Sequence, residues 1–208
     1  MSVYSERRKG KSQSKKMSGH GASKFLTYVL RHNGVDMGLK FDSAGFTSID
    51  DILAMRDMSG INKAELESIV KNNDKQRFTI KDDMIRANQG HSGKVAACIK
   101  PEEIFTRIND ASEIPVCVHG TTKASWKLIE KLGLSKMERQ FIHLAIGSPG
   151  EEKVISGMRN HSPVRIHIDV EKAMEAGIIF YFSDNNVILT DGINGIIPPE
   201  YFKKVEIL

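Results

Sequence analysis

The stretch Arg77-Phe78-Thr79-Ile80-Lys81-Asp82-Asp83-Met84-Ile85-Arg86-Ala87 reads as a β-hairpin. Two short strands, 77–80 and 84–87, flank the polar turn Lys81-Asp82-Asp83. Three helical patterns precede it. From Ser23 onward, Phe25, Leu26, Val29 and Leu30 fall on one face. Asn33-Gly34 then offers a C-cap pair, which puts Arg31 and His32 in the last turn. Ser48 with Asp51 signals the start of a second helix carrying Ile49, Ile52 and Leu53. Asn62 with Glu65 signals a third, carrying Leu66, Ile69 and Val70.

Three short helices and a hairpin follow the element order of a winged helix, a shape that often handles nucleic acid. This lobe is expected over residues 21–95. Gly90, Ser92, Gly93 and Pro101 break the pattern over 88–114, so the lobe boundary is placed there. Beyond it the texture is strand-rich. Residues 116–119 form a short apolar strand. A helix over 122–131 turns Trp126, Ile129 and Leu132 inward and ends at Gly133. Residues 141–145 form a strand. Val164, Ile166, Ile168 and Val170 alternate with Arg165, His167 and Asp169, a strand with one buried face. A short helix over 171–176 closes at Gly177. Strands 178–182 and 187–190 pair around Ser183-Asp184-Asn185-Asn186. Pro198-Pro199 stops regular structure before a last strand at 205–208. The expected class is α+β, with a second lobe of mixed strands and short helices over 96–208.

The chain has 208 residues, and its 40% apolar content is enough for a packed core. No run of roughly 18 apolar residues offers a membrane span. The basic N-terminus has no apolar segment behind it, so no secretory signal is expected. The formal charge is +4, but residues 1–20 hold six Lys/Arg against Glu6, or +5, so the remainder sums to −1. The first 20 residues are expected to be a disordered basic arm. Any anion site in the fold must come from a few placed residues rather than a broad basic face. Cys98 and Cys117 lack CxxC spacing and are expected as reduced thiols, which suits the cytoplasm or nucleus.

Four features carry possible chemistry, and each has a plain alternative. Arg31-His32 ends a helix, where cations offset the macrodipole whether or not they bind anything. After Arg86 come Ala87-Asn88-Gln89-Gly90-His91-Ser92, a polar run that is either a surface loop or a binding loop. His119-Gly120-Thr121 lies where a strand is expected to meet a helix, a turn that suits a pyrophosphate. Ser156-Gly157-Met158-Arg159 is a glycine-containing turn with one arginine. No Walker A, GxGxxG, HxxxH or HExxH pattern occurs, so neither a P-loop nor a metal is expected.

Taken in order, these stretches resemble the Tpt1/KptA RNA 2′-phosphotransferases. The matching segments are Ser23 to His32, Asn73-Asp74-Lys75-Gln76-Arg77-Phe78, Ile85 to Ser92, His119-Gly120-Thr121, Met137 to Ala145, Ser156 to Arg159, and Ser183 to Leu189. The resemblance implies a winged-helix-like RNA lobe followed by an ADP-ribosyltransferase-like NAD-binding lobe. It implies that an RNA 2′-phosphate attacks the nicotinamide-bearing carbon of NAD+ and releases nicotinamide. The neighbouring ribose 2″-hydroxyl then attacks that phosphate. RNA leaves with a 2′-hydroxyl, with ADP-ribose 1″,2″-cyclic phosphate as by-product and no metal. The RNA would be ligated tRNA with its splice-junction phosphate, and the enzyme a monomer. By the match, Arg31, His32 and Arg86 hold the 2′-phosphate, with Asn88, Gln89 and His91 beside it, and Arg159 acts in the second step. His119, Gly120, Thr121, Ser135, Arg139 and His143 line the NAD+ site. Guanidinium suits this work because its fixed, bidentate bonds hold a phosphate without proton transfer. The family often has Arg or Gly at Glu138 and Gly at Asn186. Two other readings remain: ADP-ribosylation of terminal phosphates of nucleic acid, and a non-catalytic winged-helix binder.

Overall fold

The computed structural model describes residues 18–147 and 162–208. Helix α1 (Gly19–Tyr28) starts earlier than its apolar pattern does, because the Ser18 side chain accepts from Gly21 N. Its end also differs from expectation. The chain widens into a π-helical turn, Val29–Asn33, in which Gly34 N donates to Val29 O at 2.9 Å. Gly34 is therefore no left-handed cap, since its φ is −57°. Its missing side chain serves packing instead. A Cβ there would lie 2.7 Å from Cζ of Phe41 and 2.5 Å from Val29 O.

Strand β1 (Thr47–Ser48) leads into α2 (Ile49–Ala54), with Ser48 as its N-cap. Helix α3 (Lys63–Lys71) opens on the complete Asn62–Glu65 capping box. The hairpin is β2 (Phe78–Lys81) and β3 (Met84–Ala87). Asp82 and Asp83 both take positive φ, 47° and 62°. A two-residue turn needs that conformation to match strand twist, and Asp tolerates it. The small sheet runs β1-β3-β2. Leu26, Val29, Leu30, Ile49, Ile52, Met58, Leu66 and Ile85 form the core beneath it.

The unpatterned region after the hairpin holds more structure than its breakers suggest. It forms α4 (Gly93–Cys98), α5 (Pro101–Ile104) and β4 (Thr106–Ile108). Val95, Ile99, Ile104 and Phe105 pack with Phe141, Val187 and Leu189, and with Val35 and Phe41 of the first half. This cluster ties the two halves together.

The second half contains β5 (Val118–Thr121), α6 (Lys123–Leu132), β6 (Leu134–Ser135) and β7 (Ile142–Ala145). It continues with β8 (Val164–Ile168), α7 (Val170–Glu175), β9 (Phe180–Phe182), β10 (Val187–Thr190), β11 (Ile196–Ile197) and β12 (Phe202–Ile207). Seven strands form one sheet in the order β12-β8-β5-β7-β10-β9-β4. Its pairings are antiparallel, so the fold is α+β. One expectation fails on α6. Trp126 and Ile129 pack inward, but Leu132 is 67% exposed. Two steps of three residues fall about 120° short around a 3.6-residue helix, so Leu132 leaves the buried face. The last strand also starts three residues early, at Phe202, after a 3₁₀ turn at Pro199–Tyr201. No helix among the described residues is long and apolar enough to cross a membrane.

Candidate functional site

The π-turn sets the site. Widening the last turn of α1 places Arg31 and His32 against the polar loop that follows β3; such turns recur at functional positions. Ser92 N donates to Arg31 O at 2.9 Å, and Ser92 Oγ lies 2.8 Å from His32 Nδ1. The other side of the loop is stitched to the second half. Ser92 bridges to Arg139, Gln140 N donates to His91 O at 3.3 Å, and Gln89 meets His143 Nε2 at 2.8 Å. His119, on the neighbouring strand, donates from Nδ1 to His143 O at 3.0 Å. Arg31, His32, Gln89, His91, His119, Arg139 and His143 thus come from four separate segments into one cluster.

The electrostatics are those of a site built for an anion. Burial, and then the charges of Arg77 and Arg139, push the Arg31 guanidinium down to about 10. It stays charged at neutral pH, yet its Nε and Nη2 are buried without a hydrogen-bond partner among the described residues. Such nitrogens cost free energy until an acceptor arrives. Burial followed by Arg31 and Arg139 lowers His32. Burial followed by Arg31 pushes His91 down to about 3, and burial followed by Arg139 does the same to His143. His119 is lowered by burial as well. These rings are neutral at pH 7, which decides their tautomers. His143 donates through Nδ1 to Phe141 O at 3.0 Å, so Nε2 accepts, and the Gln89 amide must turn its NH2 to the ring. A bound phosphate opposes the same arginines, so it raises all four rings toward protonation.

Other expected residues are engaged within the protein or lie at its surface. Arg86 is buried, with Nη2 2.6 Å from Asp184 Oδ2 and Nη1 donating to Ala44 O at 3.2 Å. Asn88 uses both ends of its amide internally: Oδ1 accepts from Thr79 Oγ1 at 2.7 Å and Nδ2 donates to Gln76 O at 2.8 Å. Gly120 is not in a turn. Strand β5 continues through it, pairing Gly120 with Arg165 and Thr121 with Val164, and the helix start is capped one residue later by Thr122. Ser135 is exposed on β6, where its Oγ accepts from Met137 N. Glu138 is exposed, and Asn186 holds the left-handed φ of 58° that closes the β9–β10 turn. Arg159 lies outside the described residues. Sequence reading assigned no role to Arg77 or Asp184. A carboxylate in a hairpin turn looks like a turn former, and only its contact with Arg86 marks it out.

Gly90 gives the loop its room. At φ +85°, an added Cβ would lie 3.3 Å from Arg31 Nη1 and 3.4 Å from Cζ. Gly90→Ala therefore strains the backbone by about 1 kcal/mol and presses on the guanidinium. Activity at this site is expected to fall about 10²-fold, the scale of a misplaced functional group. An initial-rate comparison checks this, and unchanged rates would show that Arg31 does not need this space.

The sequence profile described as RNA 2′-phosphotransferase, Tpt1/KptA family, matches residues 18–192. A putative tRNA 2′-phosphotransferase of Schizosaccharomyces pombe is 46% identical over 189 residues, which are 88% of this chain and 50% of that protein. The chain thus spans half the length of that relative. tRNA 2′-phosphotransferase 1 of Danio rerio is 43% identical over 192 residues, 88% of this chain and 84% of the relative. The protein of the same name from Homo sapiens is 38% identical over 189 residues, 88% and 73%. The arginine–histidine cluster lies within the matched segment, and the chain belongs to the Tpt1/KptA family of RNA 2′-phosphotransferases.

Proposed function

We propose that this cluster takes the internal 2′-phosphate of RNA, left at the splice junction of ligated tRNA, and passes it to NAD+. The products are 2′-hydroxyl RNA, nicotinamide and ADP-ribose 1″,2″-cyclic phosphate. One observation carries the reading: Arg31 is a part-buried cation whose buried Nε and Nη2 have no partner among the described residues, set beside Arg77, Arg139 and four neutral histidines. A phosphate oxygen is the acceptor those nitrogens lack.

Within this reading residues 21–95 serve as a winged-helix-like RNA lobe and 96–208 as an ADP-ribosyltransferase-like lobe. NAD+ is a co-substrate that supplies an electrophilic ribose carbon and a nicotinamide leaving group. The residues around β5 and β7 suit it. His119 and His143 are neutral and add no charge against its cationic ring, while exposed Arg139 is free to meet its pyrophosphate. Arg31, His32 and Arg86 hold the phosphate facing that carbon, which converts a bimolecular attack into a positioned one. In the second step charge moves onto the phosphoryl oxygens, and arginine stabilises it there.

The decisive assay incubates the protein with a 2′-phosphorylated oligonucleotide and NAD+. It should yield 2′-hydroxyl RNA and the cyclic phosphate, and retention of the phosphate sinks the reading. Arg159 is assigned by resemblance to the second step. Arg159→Ala is therefore expected to accumulate RNA joined to ADP-ribose through the 2′-phosphate, visible as a slower gel band. Absence of that band, with activity lost, assigns Arg159 to the first step instead.

A further inference from the structure

The two ends of the Arg86–Asp184 contact are held very differently. Arg86 is fixed: it is 8% exposed, Nη1 donates to Ala44 O, and its guanidinium carbon sits 4.7 Å from the Phe46 ring centre. The Asp184 side chain is 43% exposed at the tip of the β9–β10 turn. Thr79 Oγ1 lies 3.4 Å from the same carboxylate oxygen, but its single proton goes to Asn88 Oδ1 at 2.7 Å. Arg86 is thus the carboxylate's main anchor. The turn has its own: buried Asn185 donates from Nδ2 to Lys75 O at 2.9 Å and accepts from Ser183 Oγ. The carboxylate can swing out while both the turn and the guanidinium stay in place.

A buried guanidinium needs an anion beside it. RNA offers a monoanionic phosphodiester at every nucleotide, and an unguarded Arg86 would take any of them. Exchanging one monoanion for another gains little. A phosphomonoester carries about −1.5 to −2 charge at pH 7 and gains from the exchange. Resting on the proposed function, we infer that Asp184 is a specificity-determining residue. It occupies Arg86 as a monoanion and yields it to the dianionic 2′-phosphate but not to backbone phosphodiesters. The carboxylate acts as a threshold of charge.

The test is equilibrium binding, without NAD+, of two oligonucleotides of one sequence, with and without a single internal 2′-phosphate. The full chain is used as wild type, Asp184→Asn and Asp184→Glu. Wild type should prefer the phosphorylated strand. Asp184→Asn should bind the unmodified strand about tenfold tighter, the scale of one close charge pair, and so narrow the preference. Asp184→Glu keeps the charge and should restore it. A purely structural carboxylate would make Asp184→Asn melt lower and bind both strands more weakly, with the ratio unchanged. That result overturns the inference and leaves the proposed function standing. A wild type with no preference overturns the proposed function itself.

Discussion

Arg31→Met is expected to lower phosphate transfer about 10³-fold or more, the scale of losing a donor aimed at developing charge. The same variant should melt no lower than the wild type. Burial holds the Arg31 guanidinium down to about 10, so the folded state disfavours its charge. At pH 7 the residue is nonetheless protonated, and the fold bears that cost, about 2 kcal/mol once partial exposure is allowed for. Methionine fills the same channel with no charge to desolvate. Its loss of hydrogen bonds is small, because Nε and Nη2 make none with the described residues. Single-turnover kinetics and a thermal melt check the two halves together. A variant that loses both activity and several degrees of stability would show that Arg31 is a packing residue. Loss of activity with stability held or gained is the signature of a group kept for function against the preference of the fold.

Acid should destabilise the protein steeply, beginning near pH 6.5. His91 and His143 have folded values pushed down to about 3, against an ordinary value of 6.5. Below 6.5 the unfolded chain takes up protons that the folded one refuses. Stability is therefore complete above the ordinary value and is lost as pH falls from there toward the folded one. Each ring costs up to about 1.4 kcal/mol per pH unit, so the pair removes about 4 kcal/mol by pH 5. That is a large share of a typical domain's 5–15 kcal/mol or so. Urea titrations at pH 7, 6 and 5 measure the slope. His143→Gln should flatten it, since one of the rings with the largest shift is gone. Inorganic phosphate should flatten it too, by offsetting Arg31 and Arg139 and raising both rings. A stability that is level between pH 7 and 5 would mean these rings are solvated in the folded protein.

Local signals read well wherever the chain's own neighbours decide the outcome. The capping residues Ser48 and Asn62 lie three residues from the amides they satisfy. The β2–β3 hairpin follows from two aspartates that tolerate positive φ. The alternation from Val164 to Ile168 matches a strand buried on one face. Misreadings cluster where distant packing takes over. The breakers after the hairpin hid α4, α5 and β4, which are ordered by Phe141, Val187 and Leu189 from far along the chain. Asn33-Gly34 suggested a cap, but Gly34 is small because Phe41 needs the space.

The candidate site divides in the same way. The types and order of its residues, Arg31-His32 and then the polar run through Ser92, were plain in the sequence, as was the family they resemble. The near-neutral charge of the chain beyond its first 20 residues already meant that any anion site would be local. Tertiary structure alone decided what each of those residues meets. It left Arg31 Nε and Nη2 without a partner among the described residues, turned Asn88 inward as a brace for the hairpin, and set Asp184 against Arg86 from 98 positions away. A sequence records which groups are present and, through short-range hydrogen bonds, the local path of the backbone. Whether a charge is buried, and which charge lies opposite it, depends on segments that meet only when their apolar faces pack.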